Sequence, residues 1–350
     1  MEKFFLVLLV FVPITIVADI MHLPAIALFL LSAFAIIPLA KFIGEATEEL
    51  TVYTGPGIGG FLNATFGNAT ELIIGILALQ AGLIEVVKAS ITGSILGNLL
   101  LVLGMAIFFG GRKRERQKFN ITVAKASCST LLLTVIALVI PAVFLQTSPG
   151  VDSGVVEKLS IAVSIMMILA YIASLYFSLH THKHLYSQDV ASSEIEAKWS
   201  RSKSISILFF ATIAVAVMSE ILVNSIEPIV VAFGWTELFI GVIFVAIIGN
   251  AAEHVSAITV AIKDKMDLAL QVSIGSATQI AMFVAPALVL ASLFFKVQMS
   301  LIFSNFELVS LIFSVLVVNS IIEDGESNWF EGVQLLVAYI IIATAFFFHP

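Results

Sequence analysis

Charges, glycines and prolines cut this chain into eleven almost wholly apolar runs. They lie at 4–20, 24–43, 59–81, 84–109, 120–144, 156–178, 205–226, 238–262, 267–293, 300–320 and 331–348. A helix needs about 20 apolar residues to cross the hydrocarbon core of a bilayer, and most of these runs reach that length. Within lipid the backbone must satisfy its own hydrogen bonds, which leaves helices or closed barrels, and runs this long and this evenly apolar are helical. Composition agrees. Charged residues make up 12% of the chain, about half of what a soluble globular protein carries. The expectation is an all-α polytopic membrane protein of about eleven transmembrane helices. The first run, "MEKFFLVLLVFVPITIVADI", has a weak basic region, and Ile16 rather than a small residue sits three before the candidate cut after Ala18. It therefore reads as an uncleaved first span, not a signal peptide. The two Asn-Ala-Thr sequons at Asn63 and Asn68 fall inside a span and do not read as glycosylation sites.

Eleven is odd, so the two termini are expected on opposite sides. The stretch "RKRERQKF" at 112–119 is strongly basic, and basic loops stay cytoplasmic. Propagated along the chain, this puts all but Lys88, Lys158 and Lys296 of the 17 Lys and Arg residues inside. The N-terminus is then cytoplasmic, the C-terminus external, and the long loop at 179–204 cytoplasmic. A cell membrane location follows, with the bilayer as the surrounding partner. No basic face for nucleic acid is present, and the single cysteine, Cys128, allows neither an intrachain disulfide nor a catalytic cysteine pattern.

Slid against itself by 182 residues, the chain matches at its polar positions. "GNATE" at 67–71 falls on "GNAAE" at 249–253, Gly93-Ser94 on Gly275-Ser276, Glu45 on Glu227, Thr54 on Thr236 and Gly59 on Gly241. Shared apolar composition does not produce matches of Gly, Asn, Glu, Ser and Thr. The expected organisation is an N-terminal helix (1–22), a first five-helix repeat (23–180), a cytoplasmic loop (181–204) and a second five-helix repeat (205–350). An odd number of spans per repeat turns one half upside down relative to the other. In transporters of that architecture the substrate site lies near the midplane, where interrupted helices of the two halves meet.

The matched segments carry the chemistry. Asn68 and Glu71 are three apart and share a helix face, as do Asn250 and Glu253. A carboxylate within the membrane is costly and usually functional, and no mid-membrane Lys or Arg is available to pair with either glutamate. The next helix of each half adds polar groups: Ser94 and Asn98 in "SITGSILGN", and Ser276, Thr278 and Gln279 in "SIGSATQ". The serines and Thr278 read either as polar lining or as small residues at helix crossings. An all-oxygen site with two carboxylates suits Ca2+, which accepts six to eight oxygens in irregular geometry. Without a cation, two carboxylates facing each other in a dry site do not both stay ionised, so protons take its place and the two titrate as a pair. Cation and protons thus compete for Glu71 and Glu253. Exchange follows if the protein changes its facing only when the site is neutralised. His254, beside Glu253, reads as a ligand, a proton carrier or, preferably, a hydrogen-bond partner of Glu253. Glu45, Glu220 and Glu227 form a second group of acids near helix ends, either gating acids or solvated termini.

"GNATELI" and "GNAAEH", each followed by a helix containing Gly-Ser, resemble the calcium/proton antiporters of the cation/calcium exchanger superfamily, bacterial type, over nearly the whole chain. The resemblance implies that the family's acidic pair is Glu71 and Glu253, its motif amides Asn68 and Asn250, and its Gly-Ser-Ala-Thr-Gln glutamine Gln279. It implies Ca2+ as the transported ion, H+ as the coupling ion and no cofactor, in a chain that is not an enzyme and that either works alone or assembles as a homo-oligomer. The sodium/calcium exchangers of the superfamily typically carry Ser/Thr-Pro-Glu cores with additional acids. Neither the proline nor the extra acids occur here, which favours protons over sodium. The alternatives are an exchanger coupled to Na+ or carrying another cation, a cation channel and, ranked last, an intramembrane hydrolase. Channel filters are rings of carbonyls or charges, and a single acid pair across an inverted repeat fits that design less well.

Overall fold

The computed structural model describes residues 2–182 and 197–349. Most of the expected cytoplasmic loop, with Lys183, lies outside the described residues. Each expected apolar run is recovered as helix, with revised limits. Among the described residues seven helices are long and apolar enough to span: α2 (Ala25–Gly55), α5 (Ile84–Gly111), α6 (Ile121–Thr147), α7 (Gly154–Thr181), α8 (Arg201–Phe233), α11 (Met266–Ser292) and α13 (Trp329–Phe348). Three shorter apolar helices are α1 (Phe4–Ile20), α4 (Ala69–Gln80) and α12 (Asn305–Ile321). Between α2 and α4 runs α3 (56–66). A bent pair, α9 (Glu237–Gly249) and α10 (Ala251–Ile262), turns through 58° at Asn250.

The limits of α4 and α10 differ by 182 at both ends, as do the starts of α5 and α11, so the repeat seen in the sequence is a repeat of helix breaks. The third and eighth expected spans are not single helices. Each stops at its Gly-Asn step and restarts, with Asn68 (φ −112°, ψ 28°) and Asn250 (φ −91°, ψ 16°) outside helical geometry. The second expected span also runs past residue 43 to Gly55, where Lys41, Glu45, Glu48 and Glu49 are good helix formers. It turns into α3 at Gly55, whose φ of +77° is one that side-chain-bearing residues rarely adopt.

Helices α5 and α11 occupy the centre, with 83% and 61% of their apolar windows buried, whereas α7 and α13 are only 22% buried and face outward. Without a hydrophobic force between helices in lipid, close packing relies on small residues. Gly93 of α5 sits against the Val242 backbone of α9, Gly241 of α9 against Ala89 and the Val86 carbonyl, and Gly332 of α13 against Gly104 and Phe108. At one end of the bundle two short strands, β1 (Gln117–Lys118) and β2 (Glu326–Ser327), pair antiparallel and are the described exception to the all-helical pattern. Arg116 reaches Glu326 at 2.8 Å and holds its carboxyl below the usual carboxylate range.

Candidate ion-binding site

Each Gly-Asn break starts a helix with a glutamate at its third position: Glu71 in α4 and Glu253 in α10. The first N–H groups of a helix lack partners within it, and its positive end favours negative charge nearby. Both carboxylates therefore sit where an anion is tolerated without a lysine or arginine. Asparagine is a favoured N-cap, yet neither Asn68 nor Asn250 caps its own helix. Their side chains reach into the opposite half instead. Asn68 Nδ2 donates to Gln279 Oε1 at 2.5 Å. Asn250 Nδ2 donates to Ser94 Oγ at 2.7 Å and to the Ala246 carbonyl at 2.8 Å. Asn98 Nδ2 donates to Asn250 Oδ1 at 2.7 Å.

Both bracing amides lie where the central helices widen into π-helical turns, Asn98 within Gly97–Val102 and Gln279 just before Ile280–Val284. Such turns recur at functional sites because they re-aim side chains. The halves meet closely here. A Cβ on Gly249, next to the second break, would lie 3.2 Å from Glu71 Cγ and 3.3 Å from Glu71 Oε1.

The leftover atoms are the informative ones. Asn68 Oδ1, both carboxylate oxygens of Glu71, Glu253 Oε2 and Asn98 Oδ1 are buried acceptors with no hydrogen-bond donor among the described residues. Buried polar atoms are nearly always partnered, and a set of bare oxygens with no ammonium or guanidinium among them has the donor chemistry of a hard cation site. Among the described residues no group of three or more His, Cys, Asp or Glu is placed to hold a metal.

A cavity of about 1100 Å³ leads to the site. Glu253, Gly67, Gly249, Ser276, Thr278 and Gln279 line its depth, and Lys41, Glu45 and Glu48 line its mouth. Glu71 is not in the wall, so of the pair only Glu253 faces the cavity. The wall also takes in the C-terminal parts of α2, α7 and α10 and the start of α6, the helix that follows the basic 112–119 stretch.

Of the amides expected as ligands, Asn250 Oδ1 and Gln279 Oε1 each accept one hydrogen bond from another amide, while Asn98 Oδ1 and Asn68 Oδ1 accept none among the described residues. Ser94 accepts from Asn250, and Thr278 donates to its own helix at Ile274, 2.8 Å away. Ser276 lines the cavity. His254 is half-buried, and no hydrogen bond joins its ring to Glu253 among the described residues. Glu45 is in the cavity mouth, paired with Lys41, which also stands 5.0 Å over the Phe5 ring. Glu220 and Glu227 are exposed on α8, away from the cavity. Sequence reasoning passed over Asn63, which lines the cavity; its place one helical turn before Gly67 was the available signal. It also passed over Glu307, a buried acid treated below.

Comparison with known proteins now places the chain. The model of the sodium/calcium exchanger protein family matches residues 24–180 and 203–348. A protein of Bacillus subtilis named Ca(2+)/H(+) antiporter ChaA is 50% identical over 98% of this chain and 98% of its own. A Ca(2+)/H(+) antiporter of Synechocystis is 49% identical over 100% of this chain and 98% of its own. Among solved structures, native YfkE superimposes with a TM-score of 0.87 at 47% identity, covering 99% of this chain and 100% of that one. A structure described as H+/Ca2+ exchanger CAX shares the fold at 15% identity, with a TM-score of 0.72, over 99% of this chain and 92% of that one. With two matched segments on either side of the 181–202 stretch and half its residues shared with a full-length relative, the chain belongs to the sodium/calcium exchanger family.

Proposed function

We propose that this protein is a secondary active antiporter that moves cytoplasmic Ca2+ outward in exchange for external protons, by alternating access, in the cell membrane. The observation that carries the reading is the set of buried oxygens without a donor among the described residues, on Asn68, Glu71 and Glu253 at the two helix breaks and on Asn98 in the π-helical turn of α5. Two carboxylates offset the charge of one Ca2+, and the amides and carbonyls of the interrupted helices complete its shell. When Ca2+ leaves, the same oxygens take protons, because two facing carboxylates in a dry site do not both remain ionised. Ca2+ and H+ are therefore rivals for Glu71 and Glu253, and rivalry at one site couples their opposite movements. The names of the full-length relatives support the ion pair, and one acid per motif supports protons over sodium.

The halves are read as five-helix repeats of opposite orientation, 23–180 and 205–350, after one N-terminal helix. The cavity then opens toward the cytoplasm, where the basic stretch places that end of the bundle, and the N-terminus faces the same side with the C-terminus outside. Reconstitution tests the reading. In proteoliposomes with an acid interior, external Ca2+ should drive protons out and raise the internal pH, while Na+ and Mg2+ should not. A lack of proton efflux with Ca2+ would remove the antiport reading, and efflux with Na+ alone would make sodium, not calcium, the cation exchanged for protons.

A further inference from the structure

Glu307 is a carboxylate only 2% exposed within an apolar helix, and no ion pair joins it to a Lys or Arg among the described residues. One of its oxygens does ordinary work. Oε2 accepts from the Ser304 N–H at 2.8 Å, and the Glu307 N–H returns a bond to Ser304 Oγ at 3.2 Å. This capping box starts α12 and needs nothing more of the side chain. The other oxygen leaves the helix. Oε1 accepts a 2.9 Å hydrogen bond from Thr92 Oγ1 on α5, and Thr92 is fully buried. Two residues along α5, on its other side, Ser94 accepts from Asn250, and Asn98 lies one further turn on, donating to the same amide. Helix α5 is thus gripped on two faces, by α12 through Glu307 and by the second-half break through Ser94 and Asn98.

The repeat supplies a control. Shifted by 182 residues, Thr92 becomes Ile274, which is buried and apolar, and with the N-caps Asn120 and Ser304 aligned, Glu307 falls on Val123, which is buried and apolar as well. One half of the molecule therefore builds this packing without the contact, so a buried Thr–Glu bond is not a requirement of the fold. A buried carboxylate is an expensive way to anchor a helix, and hydrogen bonds to charged groups are among the stronger ones.

We infer that Glu307 and Thr92 form a latch that fixes the rotation of α5 and so positions Ser94 and Asn98, and through them the Asn250 amide, around the cation site. Glu307 is on this account a positioning residue that does not touch the ion. The inference rests on the calcium reading of the site, and its test separates the two. Equilibrium Ca2+ binding to the purified protein is measured for the wild type, Thr92→Val, Thr92→Ser, Glu307→Ala and the Val/Ala double variant, beside thermal melting of each. Wild-type exchange in vesicles is run in parallel.

Thr92→Val should weaken Ca2+ binding by about fivefold, below the loss typical of groups one bond from a metal ligand, with a melting temperature close to wild type. Thr92→Ser keeps the hydroxyl and should restore affinity. The double variant should bind no more weakly than the worse single variant, since both remove one contact. Unchanged affinity in Thr92→Val, no rescue by serine, or additive losses would each overturn the latch. If Glu307→Ala does not fold, the Val and Ser variants decide alone. Wild-type protein that binds Ca2+ but does not exchange it removes the antiport reading and leaves the latch to be judged on affinity. Wild-type protein that binds no Ca2+ overturns both.

Discussion

At the scale of single residues the site is a division of labour between atoms of like side chains. Asn68 and Asn250 occupy matching places, yet Asn68 keeps its oxygen free while Asn250 has its oxygen taken by Asn98. Asn98 and Gln279 divide the same way, since Asn98 only donates and Gln279 accepts. The composition of the site was legible in the sequence, because Asn and Glu at a three-residue spacing in an apolar run have few other uses. Which amide oxygen is left without a donor was not, since that depends on side-chain direction across two halves that are 182 residues apart. Glu307 was passed over for a similar reason: Ser304-x-x-Glu307 reads as a helix start, which it is, and nothing local shows that its second oxygen is taken by Thr92. The closest steric constraint on the acid pair is Gly249. Gly249→Ala would press a methyl on the Glu71 carboxylate, 3.2 Å from its Cγ. It should weaken Ca2+ binding by roughly tenfold with little loss of melting temperature, as a titration of the purified variant would show. Wild-type affinity in that variant would mean that the Glu71 carboxylate does not hold the ion.

At the scale of elements, function depends on interrupted helices and on one tight crossing. The breaks at Asn68 and Asn250 bring two helix starts, each with its glutamate, to one place, and long apolar runs do not announce breaks of this kind. Only the matched Gly-Asn steps did. The crossing of α5 over α9 admits no side chain at Gly93, where a methyl would overlap the Val242 backbone, whereas Gly97, one turn away, has open space around it. Backbone cannot move aside as a side chain can. Gly93→Ala should cost about 2 kcal/mol, in the range of overpacked cores, and Gly97→Ala should be nearly neutral. Thermal melting in detergent compares them directly, and equal effects would contradict the packing of α5 on α9.

At the scale of the whole molecule the two halves share their words but not their contacts. Gly93 is sealed against α9, while its counterpart Gly275 has nothing within 4 Å and lines the cavity. Likewise Ala89 meets Gly241, while the residue 182 positions on, Gln271, faces the cavity. Such an asymmetry between matching segments is what alternating access requires of a single state: one side closed by a helix crossing, the other open for want of the equivalent one. The opposite state should then close α11 onto α3 as α5 now closes onto α9. Gly275→Val should therefore fold and melt like wild type yet slow exchange by more than tenfold, because only the state absent here is obstructed. Full exchange by that variant would rule out closure at this crossing.

If calcium and protons are rivals for the same carboxylates, calcium binding must release protons. Purified protein in weak buffer near neutral pH is titrated with Ca2+ while a pH indicator follows the solution, for the wild type, Glu71→Gln and Glu253→Gln. The wild type should release protons in step with Ca2+ bound, its apparent affinity should fall as the pH is lowered, and each glutamine variant should lose most of both binding and release. Calcium binding by the wild type without proton release, or full release by Glu71→Gln, would contradict that rivalry.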